Sequence, residues 1–225
     1  MNFLNNSTEI VEYLKNEKVI LMQTDTIFGL LCRGDNIDCI ETIEKIKHRD
    51  HPAFGFFVKD LEMAEKYVKM SEIQKHIFNT LFPGYFTLIF EAKNDYFLTD
   101  NEAEMNKNKN VGKIPARCFG KNKQNIKTLG LRIPNNPICI EVLQCVDFPI
   151  LATSANISKQ PSPTTFESID NNILNSVDAI YYDKNFKIAN LNSTIIDLSS
   201  FNGNKNDIKI IREGSGKFDE LYALL

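Results

Sequence analysis

Short runs of apolar residues alternate along this chain with longer segments in which apolar residues recur every three or four positions. The short runs have the length of buried strands, and the periodic segments have the length and spacing of amphipathic helices. The predicted strands cover residues 19–22, 54–58, 86–91, 128–134, 149–153, 179–182, 193–197 and 208–212. The predicted helices cover residues 6–16, 35–48, 60–68, 71–81, 137–144, 166–174 and 217–225.

This alternation predicts one α/β domain over residues 1–225, with helices flanking a twisted, open sheet. Several connections are too short for the crossover that joins two parallel strands, so the sheet is predicted to be mixed. Residues that can cap or open a helix mark several of the predicted helix starts: Asn6, Asp35 or Asn36, a capping box opening at Ser71, and Pro137.

Composition argues against several classes of protein. The net charge of −3 argues against broad, charge-driven binding to nucleic acid. No window approaches the roughly 18 unbroken apolar residues of a membrane span, and the N-terminus lacks the build of a signal peptide. We therefore expect a cytoplasmic protein that has no membrane partner. The five cysteines include no C-x-x-C pair, which predicts reduced thiols and no protein-held metal.

Small polar side chains follow two of the predicted strands. Thr24 and Thr26 follow the first strand, and Ser154 and Asn156 follow the run that begins at Ile150. In open α/β sheets, ligands bind where the carboxyl ends of strands converge. Turn chemistry alone also favours Ser and Asn at such positions, so each cluster by itself is equally an ordinary strand-to-loop transition.

Basic residues add to these clusters. Lys47 and Arg49 lie in or just after a last helical turn, where the helix dipole alone favours cations. Arg132 lies in a strand-like run, where a partly buried guanidinium needs a carboxylate or phosphate partner. Arg212 precedes a glycine turn, and hydroxyls such as Ser193 lie nearby in the sequence.

This inventory of cations and hydroxyls with few acids suits the binding of a polyanion. It does not suit glycoside hydrolysis, which requires two carboxylates. The three histidines fall on predicted helix faces or a turn, so a Ser-His-Asp relay has little support. The chain also lacks the G-x-x-x-x-G-K-[ST] and G-x-G-x-x-G motifs of the common nucleotide-binding folds.

Residues 93–127 differ from the rest of the chain because they are rich in Asn and Lys, with eight basic residues against four acidic ones. Their apolar residues are scattered, so the segment is predicted to be a basic loop excursion within the domain. It is either a solvated loop or a lid over an anionic substrate or RNA.

Seven motifs occur in a characteristic order. They are Thr24-Asp25-Thr26-Ile27-Phe28-Gly29-Leu30, Lys47-x-Arg49, Pro83-Gly84-x-x-Thr87, Gly130-x-Arg132-x-Pro134, Thr153-Ser154-Ala155-Asn156 with Pro161-x-Pro163, Ser193-Thr194 and Arg212-x-Gly214. Through them the chain resembles the YrdC/TsaC family of threonylcarbamoyl-AMP synthases. The resemblance spans residues 9–215 apart from the excursion, and it implies a YrdC-like domain with a concave, anion-binding face.

The resemblance implies a nucleotidyltransferase that converts L-threonine, bicarbonate and ATP, with Mg²⁺, into threonylcarbamoyl-AMP and pyrophosphate. A separate tRNA-threonylcarbamoyl transferase would then modify an adenosine of tRNA, and a weak contact with tRNA itself is also expected. By the same resemblance, the catalytic residues are Lys47, Arg49, Ser154 and Asn156.

The resemblance also implies two sets of binding residues. Threonine would be held by Thr24, Thr26, Arg132 and Ser193, with Arg132 gripping the carboxylate through two N–H groups. ATP would be held by Lys47, Arg49, Thr128, Ser154, Asn156, Ser162 and Arg212.

Three positions depart from the family's pattern: Gln23 replaces a usual proline, Ala53-Phe54 replace a basic or amide residue followed by proline or glycine, and Lys159 replaces a glycine. The change at Ala53 removes one expected ATP contact. Three alternatives remain open: a YciO-like paralogue with weak or no synthase activity, a non-catalytic RNA-binding module, and a carbamoyl-phosphate-dependent domain like that of HypF.

Overall fold

A computed structural model describes residues 1–48, 54–105, 112–217 and 219 of the 225-residue chain. Arg49 and Ala53, for which the sequence analysis made predictions, lie outside the described residues. Nearly all of the helix predicted at 217–225 lies outside them as well.

Most of the predicted helices are confirmed. The helices of the described residues are α1 (Ser7–Lys15), α2 (Ile37–Lys47), α3 (Leu61–Tyr67), α4 (Glu72–Leu81), α5 (Asp100–Met105), α6 (Pro137–Gln144) and α7 (Asn171–Ser176). Side chains of the preceding residues cap them: Asn6 accepts from the Glu9 amide, and Ser71 and Gln74 form the predicted capping box. Of the two candidates for α2, Asn36 is the cap. The helix predicted at 166–174 is divided into a 3₁₀ turn and α7.

The strands of the described residues are short, and most of them belong to one sheet. They are β1 (Phe3–Leu4), β2 (Ile20–Gln23), β3 (Phe28–Arg33), β4 (Gly55–Phe57), β5 (Val68–Lys69), β6 (Phe86–Ala92), β7 (Phe97–Leu98), β8 (Ile114–Pro115), β9 (Gly120–Lys121), β10 (Lys127–Arg132), β11 (Ile150–Ser154), β12 (Ala179–Tyr181), β13 (Thr194–Asp197) and β14 (Lys209–Arg212).

The main sheet is mixed, as predicted. Its order is β1-β12-β2-β3-β11-β4-β10-β6-β13-β14, with β5 beside β6 and β9 beside β10, while β7 and β8 form a separate pair. The sheet contains parallel pairs, such as β4–β10 and β6–β13, and antiparallel pairs, such as β3–β11 and β6–β10. Helices flank the sheet: α1 packs on α6, and α2 packs on β3 and α7. The fold is thus a single α/β domain with an open mixed sheet.

Strand β3 was not predicted. The sequence analysis assigned residues 23–30 to the polar exit of β2, whereas the chain reverses there and returns as an antiparallel partner of β2. Thr24, Asp25 and Thr26 therefore occupy a hairpin turn inside the protein rather than a loop at its surface, and all three are buried.

Residues 93–127, predicted to be a loop excursion, contain several short helices and strands in the parts that the structure describes. Short elements flank residues 106–111, and Ile114 and Cys118 are fully buried in the main hydrophobic core. Arg117 forms ion pairs with Glu41 and Glu44 of α2. A few buried residues such as Ile114 and Cys118 thus anchor the segment to the core.

Among the described residues, no helix combines the length and apolar character that crossing a membrane would require.

Candidate functional site

A cavity of about 370 Å³ lies over the central strands of the sheet, a volume within the usual range for small-molecule sites. Its floor is built from small residues of neighbouring strands that lie opposite one another. Gly29 pairs with Ser154, Ala152 pairs with Gly55, and Gly55 pairs with Gly130. Because these residues carry little or no side chain, the sheet is indented there and a ligand can reach the backbone.

The cavity collects most of the predicted site residues. Those that line it are Thr24, Thr26, Thr128, Arg132, Ser154, Ser193 and Arg212. They come from motifs spread over nearly 190 positions of the chain, between residues 24 and 212. Three other predicted residues, Lys47, Asn156 and Ser162, are not part of the lining, and Arg49 lies outside the described residues.

One end of the cavity is organised by a buried ion pair. Nη2 of Arg132 lies 2.8 Å from both carboxylate oxygens of Asp25. Its Nη1 donates to Thr26 Oγ1 at 2.9 Å, and its Nε donates to the Gly84 carbonyl at 3.2 Å. Asp25 also accepts from the backbone N–H of Asn135 at 2.9 Å. The carboxylate partner that the sequence required for Arg132 is thus supplied by the chain itself.

Burial dominates the electrostatics of this pair. Removal from water raises the pKa of the Asp25 carboxyl, an effect that the neighbouring charge of Arg132 opposes. Burial likewise lowers the pKa of the Arg132 guanidinium, against the attraction of Asp25. Each charge is therefore tolerated in the interior because the other is present.

The two threonines beside this pair form a hydrogen-bonded chain. Thr24 Oγ1 donates to the Ile27 carbonyl at 2.7 Å, which leaves it to accept from Thr26 Oγ1 at 3.1 Å. Thr26 in turn accepts from Arg132. The hydroxyl hydrogen of Thr26 is therefore the donor in this chain that a ligand could redirect.

Arg212 organises the other end of the cavity. Its Nη2 donates to the carbonyl of Ser193 at 2.9 Å and to its hydroxyl at 3.2 Å, and its Nε donates to the same carbonyl. The Ser193 hydroxyl also bonds Thr87 Oγ1 at 2.8 Å. Both Nη1 hydrogens of Arg212 have no partner among the described residues. Partial burial of the guanidinium and the nearby charge of Arg132 lower the pKa of Arg212.

The cavity therefore carries an unbalanced positive charge. Its described lining contains two arginines and no acidic residue, and Asp25, behind the lining, balances only Arg132. Arg212 has no carboxylate partner among the residues that the structure describes. Such a cavity favours an anion, and a phosphate suits the free edge of a guanidinium.

Lys47 lies beside the cavity and not in it. Its ammonium donates to the backbone carbonyls of Ser154, at 2.5 Å, and Asn156, at 2.8 Å, and the residue is 2% exposed. The Lys47 carbonyl accepts from the Ser158 amide at 3.0 Å. Three members of the predicted tetrad, Lys47, Ser154 and Asn156, thus meet at one corner, and only Ser154 faces the cavity.

Lys47 and Asn156, both predicted to be catalytic and to bind ATP, direct hydrogen bonds to backbone carbonyls in this structure. The ammonium donates to two carbonyls at and just after the end of β11, and the Asn156 amide donates to the carbonyls of Ile157 and Gln160. Ser162 is also separated from the cavity by one residue. Its hydroxyl donates to the side-chain oxygen of Asn192 at 3.2 Å, and Asn192 lines the cavity.

Sequence reasoning assigned no role to four further polar residues of the site, Asp25, Thr87, Thr153 and Asn192. Asp25 stood between two predicted binding residues, and Thr87 closed one of the seven motifs, so both could have been found. Asn192 had only its position next to Ser193 as a signal. The aromatic lining, which includes Phe54, was read solely as a buried strand.

Fold and site together define the class of this protein: an α/β domain with a mixed sheet and a cationic cavity over an indented floor. The family model Sua5_yciO_yrdC, described as "Telomere recombination", matches residues 12–214. The chain belongs to this Sua5/YciO/YrdC family, in agreement with the resemblance read from its motifs.

Individual relatives agree with this placement. A protein of Methanocaldococcus jannaschii, whose name provisionally assigns it as a threonylcarbamoyl-AMP synthase, is 29% identical over 177 residues, 76% of this chain and 72% of that protein. The crystal structure of P. abyssi Sua5 complexed with L-threonine superposes with a TM-score of 0.77 at 19% identity, over 97% of this chain. The chain spans 57% of the length of that Sua5. The structure of E. coli YciO superposes with a TM-score of 0.73 at 21% identity, over 97% of this chain and 95% of YciO. At these identities the two structures show a shared fold.

Proposed function

We propose that this protein is an L-threonylcarbamoyladenylate synthase. It converts L-threonine, bicarbonate and ATP into threonylcarbamoyl-AMP, pyrophosphate and water. The observation that carries the proposal is one cavity that gathers two arginines and six hydroxyl residues of the motifs over a backbone floor. The names of the relatives support the same reaction.

The two ends of the cavity suit the two substrates. The buried end, with Arg132 and the hydroxyl of Thr26, offers fixed donors to the carboxylate and hydroxyl of an amino acid. The Arg212 end has an unbalanced charge and two N–H groups without a partner among the described residues, which suits a triphosphate. We therefore place threonine at the Arg132 end and the phosphates toward Arg212.

The reaction follows from this placement. Bicarbonate takes up a proton and loses water to give CO₂. The threonine amine then bonds to the carbon of CO₂, releases a proton and forms a carbamate. A carbamate oxygen then attacks the α-phosphorus of ATP, and the bond to the β-phosphate oxygen breaks to release pyrophosphate. The protein contributes orientation and charge stabilisation, in the manner of other phosphoryl-transfer sites. Lys47 and Arg49 would add to that stabilisation, as the family resemblance implies.

Mg²⁺ would enter with the nucleotide. The described lining of the cavity includes no Asp or Glu, and hydroxyls and carbonyls alone make weak magnesium sites. The ion would therefore be held mainly by phosphate oxygens of ATP and act as part of the substrate.

A second candidate is a paralogue of the YciO type, with weak or no synthase activity. The corner at Lys47 favours it, because the ammonium and the Asn156 amide are both committed to backbone carbonyls. In this case the cavity would bind an anion without completing the transfer.

Pyrophosphate release decides between the two. The purified protein is incubated with ATP and Mg²⁺, and threonine or bicarbonate is omitted in turn. A synthase releases pyrophosphate only when both are present, and it incorporates labelled bicarbonate into an AMP adduct. Release that does not depend on threonine, or no release at all, would contradict the proposal. Replacing threonine by valine controls for the substrate hydroxyl.

The cellular setting follows from the same proposal. The product would supply a tRNA-threonylcarbamoyl transferase in the cytoplasm, and a weak direct contact with tRNA would serve the transfer.

A further inference from the structure

Asp25 lies in the turn between β2 and β3, between the two threonines proposed to hold the amino acid. Its side chain is 2% exposed and lies behind the guanidinium of Arg132. The backbone amide of Asn135 donates to it, and its own backbone carbonyl accepts from the Ala189 amide at 2.9 Å. Asp25 is therefore fixed from several directions and does not itself line the cavity.

A count of hydrogens shows what Asp25 does to Arg132. A guanidinium has five N–H groups. Nη2 donates to both oxygens of the Asp25 carboxylate, the Nε hydrogen is donated to Gly84, and one Nη1 hydrogen is donated to Thr26. The second Nη1 hydrogen has no partner among the described residues and is available to a ligand. A two-pronged grip as expected from the sequence would have to share Nη2 or Nε with its present partner.

We propose that Asp25 is a positioning and specificity-determining residue: by occupying Nη2 of Arg132 and balancing its charge, it reserves this end of the cavity for the carboxylate of the amino acid and keeps phosphate at the Arg212 end. This inference rests on the proposed function and assigns the two substrates to their ends of the same cavity.

The physical reason is a difference in charge. With Asp25 ionised, the Arg132 end presents the free Nη1 donor beside a hydroxyl and little net charge, which suffices for a singly charged carboxylate. A polyphosphate carries more charge and gains more from Arg212, whose charge is unbalanced. Without Asp25, both ends would carry an unbalanced guanidinium, and phosphate would compete for the threonine end.

The test is calorimetric binding of L-threonine and of inorganic pyrophosphate to the wild-type protein and to Asp25→Asn. We expect Asp25→Asn to bind threonine at least about tenfold more weakly and pyrophosphate several-fold more tightly. Pyrophosphate should also displace threonine from Asp25→Asn and leave threonine bound to the wild type. A folded Asp25→Asn that binds both probes as the wild type does would overturn the inference.

Asp35→Asn is the matched control. Asp35 is also a buried carboxylate bound by an arginine, since Arg33 donates to it through Nε at 2.6 Å and Nη2 at 3.1 Å, but the pair lies outside the cavity lining. This variant removes the same chemical group from the same kind of ion pair. We expect unchanged affinity for threonine and pyrophosphate, whatever its loss of stability. Equal shifts in both variants would reduce Asp25 to a structural role and overturn the inference.

A measurement on the wild type covers the case in which Asp25→Asn does not fold. In arginine side-chain NMR spectra, the Nη hydrogens of Arg132 should give separate, exchange-protected signals both before and after threonine is added. Free averaging of these signals, as for a solvated arginine, would contradict the inference.

The proposed function and this inference fail in distinguishable ways. A wild type that shows no threonine-dependent release of pyrophosphate rejects the synthase, and tighter pyrophosphate binding by Asp25→Asn still supports the role of Asp25. Normal release by the wild type, with unchanged binding in Asp25→Asn, rejects the role of Asp25 alone.

Discussion

The two arginines of the cavity are held in opposite ways. Arg132 is 5% exposed, and its charge is balanced by Asp25. Arg212 lies on the exposed strand β14 and bonds only Ser193 among the described residues. The first arginine is fixed before a ligand arrives, whereas the second keeps free donors and an unbalanced charge. One end of the site thus supplies geometry, and the other supplies electrostatic attraction.

The largest expected effect comes from breaking the balanced end. Arg132→Met leaves Asp25 buried without its cation, and loss of one partner of a buried ion pair costs about 3–5 kcal/mol of unfolding free energy. Urea denaturation measures this loss. Arg212→Met should change stability by less than about 1 kcal/mol because its side chain balances no buried charge. Equal losses in the two variants would remove the contrast between the two ends.

The next effect tests whether two arginines suffice for catalysis. Lys47→Ala and Arg49→Ala should each reduce formation of the AMP adduct at least about 100-fold if each residue stabilises charge in the transition state. Single-turnover assays with labelled bicarbonate measure it. For Lys47, the loss of the donor to the Asn156 carbonyl, and of one of the two donors to the Ser154 carbonyl, should also lower the unfolding free energy by about 1–3 kcal/mol. Wild-type rates in both variants would exclude these roles.

A smaller effect is expected at the open end. Arg212→Met should weaken pyrophosphate and ATP binding about tenfold, because one exposed guanidinium supplies a modest share of the attraction. Calorimetry measures the affinities, and raised salt should weaken wild-type binding more than variant binding. Lys209→Met, which removes another exposed cation from the same strand, is the control and should leave both affinities unchanged. A variant that binds pyrophosphate normally would place the phosphates elsewhere.

The smallest effect concerns the floor shared by both ends. A methyl group at Gly55 would meet only the Ala152 carbonyl, at 3.7 Å. Gly55→Ala should therefore raise the unfolding free energy by about 0.4–1 kcal/mol while it weakens ligand binding a few-fold. At Gly34 the same change brings Cβ within 2.7 Å of the Pro149 carbonyl, so Gly34→Ala should destabilise the protein. Thermal unfolding and calorimetry together check these opposite signs. Unchanged binding in Gly55→Ala would mean that ligands do not reach the floor.

The helices could be predicted from the sequence because their signals are local. Caps such as Asn6 and Asn36 accept from an amide three residues on, and Pro137 occupies a first helical turn, as the sequence indicated. Many of the residues that line the cavity could also be predicted, for a different reason. Strand ends in an α/β sheet converge whatever the sequence of the segments that connect the strands.

The contacts between distant residues could not be predicted. Asp25 and Arg132 are 107 positions apart, and no local pattern pairs them. Strand β3 was missed because polar residues precede it in a turn that only tertiary packing buries. The direction of the Lys47 ammonium depends on carbonyls of a strand more than 100 residues further on.

The glycine and alanine floor has a consequence for how such a site can change over time. The backbone offers the same N–H and C=O groups whichever amino acid supplies it. Mutation can therefore add bulk at the bottom of the cavity, but it cannot change which chemical groups the backbone there binds. New substrate preferences would have to arise in the walls, where Thr87, Ser193 and Arg212 stand, while the indentation itself persists. Proteins that share this scaffold could thus diverge in what they bind without any visible change in their sheets.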